Sequence, residues 1–201
     1  MDTRADPPGS ARVERLRLFC AVWLPEGLRA DIAAHAEGLR RAFPSARASW
    51  PHAEGLHVTL KFLGGVERER AGALSRAAAA AAEGLRPFEL SVEETGTFPP
   101  RGAARVLWVG VKDPSGGLAR LQGRLEEECE KAGFPREARA FRPHLTVARL
   151  RPSSEAAALS DAHRRAPFAP HAFAAAELLV IRSELAPGGS RYTPLSRHPF
   201  V

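Results

Sequence analysis

Two short stretches of this chain carry the same alternation of residue types: Leu56-His57-Val58-Thr59-Leu60 and Pro143-His144-Leu145-Thr146-Val147. A strand turns successive side chains to opposite faces. His57 and Thr59 therefore share one face and Val58 and Leu60 the other, and His144 and Thr146 stand apart from Leu145 and Val147 in the same way. Each stretch closes a similar strand-to-helix unit, one opening with FCAVWLPEGLRADI and the other with LWVGVKDPSGGLARL. His57 follows Trp23 by 34 residues, and His144 follows Val111 by 33. A repeated unit buries its apolar face against its copy, so the pattern predicts a duplicated fold with one polar His-x-Thr face in each half.

The rest of the chain narrows the class. Its 201 residues are 44% apolar and 26% charged, enough to bury a core and too much for a disordered tail or a disulfide miniprotein. The 17 glycines and 17 prolines are scattered between periodic stretches rather than gathered into a repeat, which excludes collagen-like and low-complexity readings. No stretch reaches the roughly 18 apolar residues of a bilayer span. The apolar run Leu16 to Leu24 is short, is split by Arg17 and lacks a small-residue cleavage site, so a cytoplasmic protein with no membrane partner is expected. The net charge of +6 comes almost wholly from arginine, the only lysines being Lys61, Lys112 and Lys131. It makes phosphate-bearing partners plausible without selecting one. Cys20 and Cys129 have no companion at metal-ligand spacing, so neither zinc nor a disulfide is expected.

Residues 1–14 hold almost no large apolar side chain and are expected to be a disordered tail ahead of one bilobal unit over residues 15–201. A buried strand is predicted from Leu16 to Pro25, then a helix with Leu28, Ile32, Ala36, Leu39 and Phe43 on one face, ending before Pro44. Further strands are predicted at Leu56 to Leu63, closed by Gly64 and Gly65, at Phe88 to Phe98 and at Arg105 to Lys112, with an alanine-rich helix from Glu69 to Leu85. Asp113 or Ser115 caps a helix carrying Leu118, Leu121, Leu125 and Cys129, and Gly133 ends it. A strand at His144 to Leu150 is followed by a Pro- and Ala-rich connection, a strand near Phe173 to Ser183, a turn at residues 187–189 and a last strand from Arg191. Gly116 and Gly117 read as a turn, since no Gly-Lys-Ser follows them.

If the two polar faces meet across a pseudo-twofold axis, two imidazoles and two hydroxyls surround one point. Displacement at a phosphodiester needs a base for the attacking water and an acid for the departing oxygen on the opposite side. Two imidazoles that titrate near neutrality supply both. Hydroxyls of Thr59 and Thr146 can donate to the nonbridging oxygens, where charge grows. Neither motif has a flanking acid or second histidine at ligand spacing, so no metal or other cofactor is expected. Strand parity turns Arg149 away from the histidine face unless the strand bulges first. Lys61 has the parity to reach the site, Phe62 reads as core, and Arg191 and Tyr192 either border the cleft or pack at a strand edge. His35 is read as a partly buried helix histidine; His52, His163, His171 and His198 read as surface or packing residues.

LHVTLKFLG and FRPHLTVAR resemble the paired motifs of the two-histidine phosphoesterase superfamily. They are most similar to its branch of RNA 2',3'-cyclic phosphodiesterases, also called LigT or 2'-5' RNA ligase proteins. The resemblance extends through LFCAVWLPEGL, RVLWVGV and SRYTPL. It implies an α+β fold, bilobal and duplicated, with two antiparallel sheets lining a central cleft and helices on the outside. It also implies metal-independent opening of RNA 2',3'-cyclic phosphate ends to 2'-phosphates, with reverse 2'-5' ligation as a further capacity. By motif, His57 matches the proton donor and His144 the proton acceptor. Thr59 and Thr146 match the phosphate-holding threonines, and Arg149 a basic position of the second motif. A monomer acting on RNA is expected. The alternatives are an RNA-binding module with little catalysis and an esterase of a small cyclic nucleotide.

Overall fold

The computed structural model describes residues 13–166, 168–186 and 189–201. Of the tail expected over residues 1–14, the first twelve lie outside the described residues. Glu14 is held in place: its carbonyl accepts from the Arg68 backbone N–H at 2.9 Å and its carboxylate from the Arg68 guanidinium at 2.8 Å.

In chain order the elements are β1 (Arg15–Trp23), α1 (Glu26–Ala42), β2 (Ala48–Ser49), β3 (His57–Glu67), α2 (Ala71–Ala82), β4 (Phe88–Phe98), β5 (Val106–Lys112), α3 (Gly117–Lys131), β6 (His144–Leu150), α4 (Ala156–Arg165), β7 (His171–Ala175), β8 (Glu177–Ala186) and β9 (Gly189–Pro199). Two antiparallel sheets result, ordered β3-β1-β8-β9 and β2-β6-β5-β4-β7. The first repeat runs β1, α1, β3, α2, β4 and the second β5, α3, β6, α4, β8, yet β4 pairs with β5 and β8 pairs with β1. Each repeat hands its last strand to the other's sheet, so neither sheet is complete without both. The register also reproduces the repeat: Trp23 lies opposite His57, and Gly110 opposite His144.

β1 is buried on both faces, which explains its unbroken apolar run. Leu16, Leu18, Cys20 and Val22 enter the large core, whereas Phe19 and Ala21 join Leu179 and Ile181 in a smaller cluster on the opposite face. α2 packs on β8 and α4 on β4, while α1 touches β6 and α3 touches β3. Asp113 and Ser115 both serve the start of α3. The Asp113 carboxylate accepts from the Ala119 N–H at 2.9 Å and the Ser115 hydroxyl from the Gly117 N–H at 3.1 Å, with left-handed Gly116 (φ 67°) making the turn. Cys20 and Cys129 are buried free thiols. Among the described residues no helix is long and apolar enough to cross a membrane.

Four expectations need correction. Gly64 and Gly65 do not close β3, which continues to Glu67, with Gly64 opposite Leu18, Phe62 opposite Phe19 and Leu63 bulged out between them. The Pro- and Ala-rich connection contains α4, whose buried face is only Leu159, Ser160 and His163; that stripe is too thin in apolar residues to reveal a helix by periodicity. The strand expected near Phe173 to Ser183 is two strands, β7 and β8, in different sheets. Finally, Phe62 is no core residue. It is 47% exposed, with the Arg17 guanidinium 4.8 Å from its ring centroid.

Candidate active site

The two histidine strands meet where the sheets approach, β3 at one edge and β6 facing it. Between them lies a cavity of about 160 Å³ lined by His57 and Thr59 from β3 and by His144, Thr146 and Arg149 from β6. Ser49 to His52, Gly55, Leu56, Gly189, Ser190 and Tyr192 complete its wall. All five residues singled out from the sequence therefore border one small space.

Arg149 reaches it because β6 bulges. Trp108 lies opposite Thr146 and Leu107 opposite Ala148, leaving Val147 unpaired. Val147 and Ala148 are both buried, and beyond them the alternation is inverted, which returns Arg149 to the histidine face. β3 does the same at the equivalent place. Ala21 faces Thr59 and Cys20 faces Lys61, with Leu60 left over. There the inversion turns Lys61 inward, where its ammonium donates to Glu126 Oε2 at 2.5 Å and to the Pro135 carbonyl at 2.8 Å. Lys61 therefore does not reach the cavity.

Both imidazoles are oriented by the same device. His57 Nδ1 lies 2.6 Å from the Gly55 carbonyl and His144 Nδ1 lies 2.7 Å from the Arg142 carbonyl, each two residues back along its own chain. A carbonyl only accepts, so Nδ1 carries the hydrogen in both rings and Nε2 is left for a ligand. Arg29 steadies the first of these turns by donating to the Glu54 carbonyl at 3.2 Å. Among the described residues the Thr59 and Thr146 hydroxyls have no hydrogen-bond partner, which leaves two donors for an anion.

The surroundings of the two rings differ. Phe19 stacks on His57 at 4.6 Å between ring centroids, Tyr192 meets it edge-on at 5.2 Å, and Trp23 is 6.3 Å away. His144 has one such neighbour, Phe98, edge-on at 5.0 Å. A side chain at position 55 would bring its Cβ within 2.9 Å of the Tyr192 ring, so only glycine leaves that ring in place. Burial pushes the His57 pKa down to about 4; the charges of Arg149 and His144 add to this, and the Gly55 carbonyl partly offsets it. His144 is lowered for the same first reason, with Arg149 contributing and the Arg142 carbonyl opposing. Burial thus disfavours imidazolium at both positions. A negative charge beside the rings opposes that effect, because it favours the protonated form.

His35 and His163 hold each other across α1 and α4 at 3.1 Å, and His163 Nε2–H donates to the Trp108 carbonyl. His171 pairs with Asp31, and His198 with Ser196. These are packing contacts. His52, read as a surface or packing residue, instead borders the cavity, as do Gly55, Ser190 and Tyr192. Of these, the sequence pattern marked only Tyr192, within SRYTPL. The others come from irregular chain or a strand end, where no periodicity announces a site.

A family model, the 2'-5' RNA ligase superfamily, matches residues 24–186. The chain is 34% identical to an RNA 2',3'-cyclic phosphodiesterase of Methanothermobacter thermautotrophicus over 90% of its own length and 97% of the relative's. It is 33% identical to the RNA 2',3'-cyclic phosphodiesterase of Escherichia coli over 92% and 96%. Of a third relative so described, from Geobacillus stearothermophilus, it spans only 54%, at 33% identity over 86% of this chain. Among solved structures, E. coli LigT in complex with 3'-AMP superposes with a TM-score of 0.71 at 31% identity, covering 93% of this chain and 99% of that one. A Thermus thermophilus protein superposes with 0.74 at 28% identity, covering 92% and 98%.

Proposed function

Because this chain belongs to the 2'-5' RNA ligase superfamily, we propose that it hydrolyses RNA 2',3'-cyclic phosphate ends to 2'-phosphates, with His57 and His144 as its acid and base. The observation that carries this reading is the convergence of both histidines, both threonines and Arg149 on one phosphate-sized cavity. Relatives of similar length described as RNA 2',3'-cyclic phosphodiesterases, and a relative solved with a nucleotide 3'-phosphate, support it.

The cyclic phosphate enters with its nonbridging oxygens toward Thr59, Thr146 and Arg149. Its charge raises the affinity of both imidazoles for protons. Neutral His144 accepts a proton from water through Nε2 as the water oxygen bonds to phosphorus. On the opposite side the P–O3' bond breaks, and His57 Nε2–H protonates the departing 3' oxygen. The ribose keeps the phosphate on its 2' oxygen and regains a free 3' hydroxyl. The proton then held by His144 returns to His57 through solvent. Charge growing on the equatorial oxygens is met by the threonine hydroxyls, donors of a kind worth about 2.7 to 4 kcal/mol each in a transition state. No step calls for a metal, and among the described residues no three His, Cys, Asp or Glu side chains gather as ligands. The same steps with a 5' hydroxyl in place of water, its proton going to His144 as its oxygen bonds to phosphorus and the P–O3' bond breaks, join two strands through a 2'-5' linkage, and their reverse reopens it to the cyclic phosphate and the 5' hydroxyl.

The test is incubation of chelator-treated protein with an oligoribonucleotide ending in a 2',3'-cyclic phosphate, followed by identification of the phosphate position. A 2'-phosphate formed at an undiminished rate in chelator is expected. A 3'-phosphate, or dependence on an added divalent cation, contradicts the mechanism. RNA bound without product favours a binding module instead.

A further inference from the structure

His57 is only as well placed as the turn that holds it. Its Nδ1–H donates to the Gly55 carbonyl at 2.6 Å, so Nε2 stays aimed at the phosphoryl cavity only while the short helical turn Ala53–Gly55 keeps its position. From α1, Arg29 donates to the Glu54 carbonyl at 3.2 Å. From β1, Phe19 stacks on the imidazole and Trp23 lies opposite His57 in the register. The remaining hold comes from β9, the far edge of the sheet whose other edge is β3. The sheet curls until those two edges meet at the turn: β9 touches Ala53–Gly55, a Cβ added at Gly189 would lie 3.2 Å from His52, and Tyr192 reaches His57 itself.

Tyr192 is 5.2 Å from the His57 ring centroid and 5.3 Å from that of Phe19, at 88° and 79° to them, while those two rings stack on each other at 4.6 Å. A ring equally far from two stacked rings, and perpendicular to both, stands beside the stack and meets their edges. It also packs on the residue that accepts from His57, since a Cβ added at Gly55 would meet Tyr192 Cδ2 and Cε2 at 2.9 Å. The phenol ring therefore covers the Nδ1 hydrogen bond together with the imidazole that makes it. Such a bond strengthens when water is kept from it, and edge-on aromatic contacts add attraction beyond burial. Among the described residues the Tyr192 hydroxyl has no hydrogen-bond partner, so the hold comes from the ring.

We propose that Tyr192 is a positioning residue, sealing the Gly55–His57 turn so that the imidazole keeps one orientation and offers Nε2 alone to the phosphoryl group. This rests on the reading of His57 as the acid. An acid must meet the departing oxygen at a fixed place, and a misplacement of about 1 Å costs on the order of 10²-fold in rate. The same ring keeps His57 desolvated, the first cause of its lowered proton affinity, and an imidazolium formed there gives up its proton readily. Thr59, Thr146 and Arg149 line the cavity independently of Tyr192, so loss of the ring is read in kcat rather than KM.

The experiment compares wild type, Tyr192→Ala and Tyr192→Phe in turnover of an oligoribonucleotide with a 2',3'-cyclic end and, without substrate, in NMR titration of the His57 ring. Tyr192→Ala is expected to lower kcat by about 10 to 100-fold, a share of the roughly 10² to 10⁴-fold that a positioned acid contributes, with KM within about twofold of wild type. Its His57 resonance should titrate above the wild-type value of about 4, toward the ordinary histidine range, and its optimum of kcat/KM should move to higher pH. The charged and titratable groups around that ring, His144 and Arg149 on β6, Arg29 on α1 and His52 ahead of the turn, remain in every variant, so the shift reports the phenol ring. Tyr192→Phe should match wild type in both measurements. Gly55→Ala, which displaces the ring from the turn's side, should move kcat and the titration in the same directions as Tyr192→Ala, and it replaces that variant if Tyr192→Ala does not fold. A His57 titration unmoved in the variant, a loss confined to KM, or a Tyr192→Phe as impaired as Tyr192→Ala overturns the assignment. Absence of turnover by wild type overturns instead the functional reading beneath it, while the titration still decides whether Tyr192 holds His57.

Discussion

Replacing either His57 or His144 with alanine is expected to lower kcat/KM for an RNA 2',3'-cyclic end by about 10² to 10⁴-fold, the usual worth of one general acid or base. The double variant should be little worse than either single one, since the two rings act as a unit in one proton relay. Binding of the substrate should persist in all three, because Thr59, Thr146 and Arg149 still line the cavity. The pH profile adds a sign. The competent state holds one proton on the pair. In the free protein burial lowers His57 to about 4 and also lowers His144, so kcat/KM, which reports the free protein, should peak below neutrality and fall as pH rises. The bound phosphate raises both affinities for protons, so the optimum of kcat should lie at higher pH than that of kcat/KM. Such a pair titrates with macroscopic values that belong to neither ring alone. Near-normal turnover by His57→Ala contradicts the mechanism, as does an optimum of kcat below that of kcat/KM.

The second large effect concerns the fold. Lys61 and Glu126 are 4% and 7% exposed, and their ion pair at 2.5 Å joins β3 to α3. Glu126 also accepts from the Glu137 N–H at 3.2 Å, and Lys61 donates to the Pro135 carbonyl. The pair therefore fixes the start of the loop that leads to His144. Glu126→Ala strands an ammonium in the core, and losses of this kind cost about 3 to 5 kcal/mol. The double change Lys61→Met with Glu126→Leu removes both charges together and should recover most of that loss, since an apolar pair of similar volume is often neutral or better. Denaturant unfolding at neutral pH measures both. A Glu126→Ala cost under about 1 kcal/mol, or a double variant less stable than the single one, contradicts the buried-pair account.

Both strands of the active site could be read from the sequence because alternation is local: His57 and Thr59 on one face, Val58 and Leu60 on the other, and the same again at His144. The duplicated spacing placed them in equivalent positions, and the register of Trp23 with His57 and Gly110 with His144 follows it to within a residue. What parity could not reveal was where it breaks. The bulges at Leu60 and Val147 depend on how each strand meets its neighbour, and they alone decide that Arg149 faces the cavity while Lys61 enters the core. The exchange of β4 and β8 between sheets is likewise a matter of long-range pairing. α4 was missed because a helix lying on one strand needs few apolar residues. The cavity wall at His52, Gly55 and Ser190 has no periodic signature at all.

The central claim is that one phosphoryl group touches both imidazoles, and titration of the His57 and His144 ring resonances by NMR, with and without inorganic phosphate, tests it most directly. Without phosphate, the His57 resonance should titrate near pH 4. On addition of phosphate both rings should move to higher pKa with one shared half-saturation, and phosphate should bind more tightly as pH falls from neutrality. A response from one ring alone, or half-saturations that differ between the two, would place the histidines at separate anions and contradict it.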